Sequence, residues 1–116
     1  MKSSIMDLMQ PEIVTASDGC SELRFEVRPE FTIPGGVLQG GMIAVMLDMA
    51  MAVAEHGAIS TASLHYDILR PVDTKVVIVT ARITRKGRRI VFAEAEMRNA
   101  DGQVLARGTQ TAVPLR

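Results

Sequence analysis

The segment GGVLQGGMIAVMLDMAMAVAEHG, residues 35–57, is apolar almost throughout, yet it carries one carboxylate, Asp48, near its middle. An ionised carboxylate buried without partners is strongly unfavourable, so its presence asks for a partner or a task. A carboxylate set in an apolar wall can serve as general base towards water or attack a carbonyl carbon itself. Gly40 and Gly41 open the run. The first N–H groups of a helix are free donors at the positive end of its dipole, able to polarise a carbonyl or hold an oxyanion. A donor site and a carboxylate two turns further on therefore suit attack on an acyl group. On one helix they stand roughly 10 Å apart, too far to share one reacting carbon. A two-fold dimer could bring one chain's Asp48 to the other's Gly40. Periodicity alone equally allows Asp48 to be a polar residue on the outer side of an amphipathic helix. The glycine turn is what favours chemistry.

Other chemically capable residues divide into weaker cases. Arg82, Arg85, Lys86, Arg88 and Arg89 surround Gly87. They read either as a solvated hairpin tip or as a clamp for phosphate groups, which guanidinium binds in pairs of hydrogen bonds. His56 falls at the helix C-terminus, where a cation is favoured, and His65 alternates along a strand. No Cys or His spacing suggests a metal site. There is no G-x-S-x-G elbow, and GGVLQGG lacks the Lys-Ser/Thr of a phosphate-binding loop. Met42, Met46 and Met49 read as core packing rather than as an acyl pocket.

The elements that must position these groups follow from pattern. With 116 residues and 47% apolar content, the chain suits one domain, residues 1–116, with a real core. Aromatics are 3%, and 13 basic residues balance 13 acidic ones, which argues against nucleic acid or an anionic membrane as partner. The single Cys20 and the absence of an apolar leader or a 20-residue apolar span point to a soluble, cytoplasmic protein. Residues 3–9 suit a short helix, and residues 12–29 suit two strands around SDG. A long helix runs from about 40 to 56, with Gly57 as its C′ residue. Its sheet-facing side is predicted to hold Ile43, Met46, Ala50 and Val53, opposite Asp48. Gly41, Ala44, Val45, Met51, Ala52 and Glu55 share the Asp48 side. Four β-rich runs then form an antiparallel meander, with RKGR and NADG as glycine turns of positive φ. One helix cannot cover both faces of five or six strands, so the sheet should curl around it and leave edges for a second copy.

At this point the sequence resembles the hotdog-fold thioesterases of the phenylacetate-degradation (PaaI-like) group. The pattern Asn-Pro-x-Gly-x-x-His-Gly-Gly followed by Leu-x-Asp-x-Ala reads here as IPGGVLQGGMIAVMLDMA, with Pro34, Gly36, Gly40, Gly41, Met46, Asp48 and Ala50 in register. TASLHYDILRPV and the closing strands extend the resemblance over residues 20–113. It implies an α+β hotdog fold, an antiparallel five- to six-stranded sheet around one long helix, assembled as a dimer or a dimer of dimers. It also implies hydrolysis of acyl-coenzyme A, with coenzyme A entering as part of the substrate and no separate cofactor. Asp48 would be base or nucleophile, and the Gly40 N–H of the other chain would polarise the thioester carbonyl. Gly41 would line the substrate turn, Thr61 falls where relatives carry a helper hydroxyl, and Arg85, Lys86, Arg88 and Arg89 would hold the nucleotide. Two positions depart: the Asn becomes Ile33 and the His becomes Gln39, whose amide can donate but cannot shuttle protons. A hotdog dimer that binds acyl-CoA without cleaving it is the competing expectation. A hotdog dehydratase fits less well, because that chemistry needs a His near the helix start.

Overall fold

The structure, a computed structural model, describes residues 4–115. In chain order the elements are α1 (Ser4–Met9), β1 (Glu12–Ser17), β2 (Cys20–Glu26), a single 3-10 turn at Pro29–Phe31, α2 (Gly40–Ala54), β3 (Ile59–Ile68), β4 (Val76–Lys86), β5 (Val91–Arg98) and β6 (Val104–Pro114). The predicted N-terminal helix is α1; residue 3 lies outside the described residues. All six strands join one antiparallel sheet in the order β1-β2-β4-β5-β6-β3. This is the expected α+β arrangement, with α2 touching every strand.

Alternation explains the curl. Along β5, Val91, Ala93, Ala95 and Met97 are buried while Phe92 points outward, the period of two that puts one face of a sheet on a core. Leu23, Phe25, Val77 and Val79 do the same on β2 and β4. Fully burying each such side chain is worth about 1.5–3 kcal/mol. The Ser21 hydroxyl donates to the Ala50 carbonyl (2.7 Å), fastening the helix to β2.

Three expectations need correction. The strands after α2 do not form a simple meander: β4, β5 and β6 do, but β3 pairs with β6 at the sheet edge and β4 pairs with β2. The segment 69–75 makes the crossing, pinned by buried Val72, whose carbonyl accepts the Leu38 N–H (2.8 Å). The second correction concerns RKGR. Gly102 in NADG has φ +86°, as a tight turn needs. Gly87 instead supplies room, since a Cβ there would sit 2.9 Å from the Ile90 carbonyl oxygen.

The third concerns α2. Its buried residues are Ile43, Met46, Leu47, Met49, Ala50, Met51 and Ala54, while Val53 is only half-buried. The stripe is turned about 40° from the predicted one, because strands cover the helix from the β3–β6 side as well as from below. Met51, expected beside Asp48, is fully buried. The helix ends in a Schellman pair, Gly57 N–H to Ala52 O (2.8 Å) and His56 N–H to Val53 O (2.9 Å). His56, not Gly57, is therefore the C′ residue, and it holds φ +54°. A residue with a Cβ is strained there. His56→Gly is expected to raise stability by about 0.5–1 kcal/mol, read as a higher urea midpoint at unchanged slope.

Candidate functional site

Asp48 is half-buried on α2, and two side chains from the sheet reach it. Thr61 Oγ1, on β3, donates to Asp48 Oδ1 at 2.6 Å. Gln110 Nε2, on β6, donates to the same oxygen at 2.9 Å. Thr61 is placed by a register shift between Thr61 and Ser63 in the β3–β6 ladder. Gln110 faces inward because β6 alternates, with Ala106, Gly108 and Ala112 pointing the same way. The apolar setting of the carboxylate is thus answered by two donors on Oδ1. Among the described residues no hydrogen bond reaches Oδ2. A carboxylate held by one oxygen presents the other in a fixed direction, as a base or nucleophile requires.

Gln110 is itself only 3% exposed, and its Oε1 is buried without a hydrogen-bond partner. The carboxylate dictates that orientation, because a flipped amide would set two oxygens against each other. Sequence reasoning missed this residue. The available signal was one polar side chain at an inward position among Ala and Gly on the closing strand.

The wall that holds Asp48 belongs to a cleft of about 770 Å³ between α2, α1 and β1, lined by Val45, Met49, Ala52 and Val53 among others and reaching His56. Gly40 opens elsewhere, onto a smaller hollow of about 330 Å³ with Leu38, Ile43, Ile68 and Pro71. Within one chain, then, Asp48 and Gly40 face different spaces. At the helix start Gln39 is the N-cap, its Oε1 accepting the Met42 N–H at 3.2 Å. A Cβ on Gly41 would lie 2.8 Å from that Oε1. Among the described residues no hydrogen bond takes up the N–H of Gly40 or Gly41. Ile33 is exposed beside the turn formed by Gly35 and Gly36, both of positive φ.

The basic cluster does not converge. Lys86 Nζ pairs with Glu55 Oε2 (2.5 Å), and Arg82 pairs with Glu94 (2.5 Å). Arg85 lies on the outer face of the sheet near Phe92. Arg88 and Arg89 stand exposed at the tip, with no ion pair among the described residues. His65 is exposed and faces Asp67 at 3.3 Å. Among the described residues no group of three His, Cys, Asp or Glu side chains is placed to hold a metal ion, and no helix is long and apolar enough to cross a membrane.

Comparisons with known proteins identify the family of this fold. The family profile described as the acyl-CoA thioesterase N-terminal domain matches residues 28–113. Human acyl-coenzyme A thioesterase 13 is 28% identical over 107 residues, covering 85% of this chain and 76% of that protein. The solved structure of a conserved Pseudomonas aeruginosa protein superposes with a TM-score of 0.90 at 28% identity, covering 99% of this chain and 96% of the other. A Ralstonia eutropha structure, named as a phenylacetic acid degradation-related protein, gives 0.87 at 27%, covering 97% and 91%. With the helix, the wrapped sheet and the glycine turn in place, the profile match over most of its length shows that the chain belongs to the acyl-CoA thioesterase family of hotdog domains.

Proposed function

We propose that the protein hydrolyses an acyl-CoA thioester to the free acid and coenzyme A, with Asp48 as the reacting carboxylate at a site shared between two copies of the chain. The observation that carries this reading is the carboxylate itself: Oδ1 held by Thr61 and Gln110, Oδ2 without a hydrogen bond among the described residues, and Asp48 lining the cleft. Asp48 either draws a proton from water or attacks the thioester carbon, and either route leaves a negative oxygen on that carbon. The Gly40 N–H of the second chain stabilises it. Gly41 and Ile33 line the approach to that turn. Gln39 keeps its amide hydrogens for the carbonyl while Oε1 caps the helix. Thr61 holds Asp48, and Arg85, Arg88 and Arg89 take the nucleotide phosphates. Lys86 joins them only by leaving Glu55. Two chains meeting as a dimer, or as a dimer of dimers, complete the site, and the exposed edge of β3 is a surface on which they can meet. One unpaired cysteine, Cys20, suits a reducing cytoplasm.

A binding role without cleavage is the second reading, favoured by one observation. The side chain at the family's His position is engaged as a helix cap, and Ile33 offers no polar group. Incubation with aliphatic and aryl acyl-CoAs, following free thiol, separates the two. Thiol release proportional to protein supports hydrolysis. Thermal stabilisation by the same compounds with no thiol release transfers the site to the binding reading.

A further inference from the structure

The cleft that holds Asp48 has a direction. It follows α2 from Asp48 through Ala52 to the His56–Gly57 turn, with Ile5 and Met6 of α1 and Ile13 and Ala16 of β1 on the opposite side. From Asp48 to His56 is eight residues, about 12 Å of helix. Saturated carbon–carbon bonds of about 1.5 Å advance an extended chain by about 1.25 Å each. The run from the carboxylate to the turn therefore measures about ten carbons. Its floor is aliphatic, made of Val45, Met49, Ala52 and Val53, and among the described residues no Phe, Tyr or Trp lines it. That surface offers flexible apolar contact and no ring to stack on, which suits an alkyl chain better than an aryl group.

The opposite wall is fastened rather than loose. Met9, which ends α1, is 2% exposed. The Arg28 guanidinium donates to the Leu8 carbonyl at the same end and lies 4.4 Å over the Phe31 ring. A wall anchored in the core keeps the width of the cleft fixed, as discrimination by length requires. At the far end, the Schellman bonds fix the turn that borders it.

We propose that this cleft is an acyl-chain ruler for straight aliphatic acyl groups of about eight to ten carbons, with Ala52 keeping the passage open and the His56–Gly57 turn as its end. The inference rests on the thioesterase reading above and adds the class of acyl group. It also has a consequence for the other half of the substrate. Lys86 reaches Glu55 at the same end of α2 as His56, so an acyl chain directed there sends the coenzyme A arm the other way, towards the N-terminal end of α2.

The test is a length series of saturated acyl-CoAs from two to sixteen carbons, with phenylacetyl-CoA beside it. The ruler predicts kcat/KM rising roughly fourfold per methylene up to eight to ten carbons, then levelling or falling. Ala52 stands one turn, about 6 Å, beyond Asp48. Ala52→Leu should therefore lower the decanoyl-to-butyryl ratio of kcat/KM at least tenfold, and Ala52→Val serves if the larger side chain disturbs folding. A flat profile, an optimum at six carbons or fewer, a preference for phenylacetyl-CoA, or an unchanged ratio in the variant overturns the proposal. If no thioester is cleaved, hydrolysis fails as a reading but the ruler is still readable. Calorimetry with S-alkyl-CoA thioethers should then show affinity climbing to the same length, and affinity independent of length overturns it.

Discussion

Asp48→Asn is expected to lower kcat for acyl-CoA hydrolysis by about a thousandfold while leaving KM within about threefold. Asparagine has the size of aspartate, and its carbonyl oxygen can accept the same two hydrogen bonds, from Thr61 at 2.6 Å and Gln110 at 2.9 Å. Packing along α2 should survive, so the melting profile and the oligomeric state should match the parent's. What disappears is the charge, and with it both possible roles of the side chain: an amide neither takes a proton from water near neutral pH nor attacks a thioester. Because hydrogen bonding and shape are conserved, loss of activity in this variant cannot be attributed to a collapsed site. Turnover within threefold of the parent would remove Asp48 from the chemistry and leave the family's glycine turn without its partner. Single-turnover measurement adds a second readout: if Asp48 attacks directly, an acyl group should be trappable on the parent protein and absent from the variant.

What the sequence made legible was the part written locally. The helix, its glycine start and the carboxylate lie within one apolar run, so their spacing could be read without knowing what surrounds them. The six strands were equally plain, because period-two alternation and turn residues are local signals. Where β3 would pair was not local. Its neighbour is β6, reached by a crossing that buries Val72, and no residue in 59–68 announces that choice. The phase of α2 was missed for a related reason. Whether Leu47 and Met51 are buried depends on how far the sheet wraps, which the helix sequence does not encode. His56 shows the opposite case: a glycine next door invited the C′ assignment, and the hydrogen bonds place it one residue earlier. Thr61 was found only through resemblance, since a threonine on a strand is ordinary until a register shift turns it to Asp48. Gln110 lies 62 residues from Asp48 in sequence, and a contact of that separation is written by the topology alone.

That long-range contact supplies the second large effect. Gln110→Met is expected to reduce kcat about ten- to a hundredfold, with KM nearly unchanged and stability altered by less than about 1 kcal/mol. Gln110 lies behind the carboxylate and touches Asp48 rather than the open cleft, so its influence should appear in the chemical step. The stability prediction follows from opposing terms. Methionine loses a hydrogen bond to a charged group, worth about 1.5–3 kcal/mol, but it also removes a buried amide oxygen that has no partner, a burden of about 1–3 kcal/mol. Methionine matches glutamine in length and suits the apolar surroundings, so the two terms nearly cancel. A protein as stable as the parent but slower at saturating substrate is the signature of a positioning residue. A fall in stability of several kcal/mol with kcat intact would make Gln110 a packing residue instead. The comparison with Thr61→Ala sharpens the point. Both donors bind the same oxygen, so removing either frees the carboxylate to turn. The double variant should then lose far less than the product of the two single losses. Fully multiplicative losses would mean that each side chain acts on the reaction independently, and the picture of one oxygen clamped to aim the other would have to be abandoned.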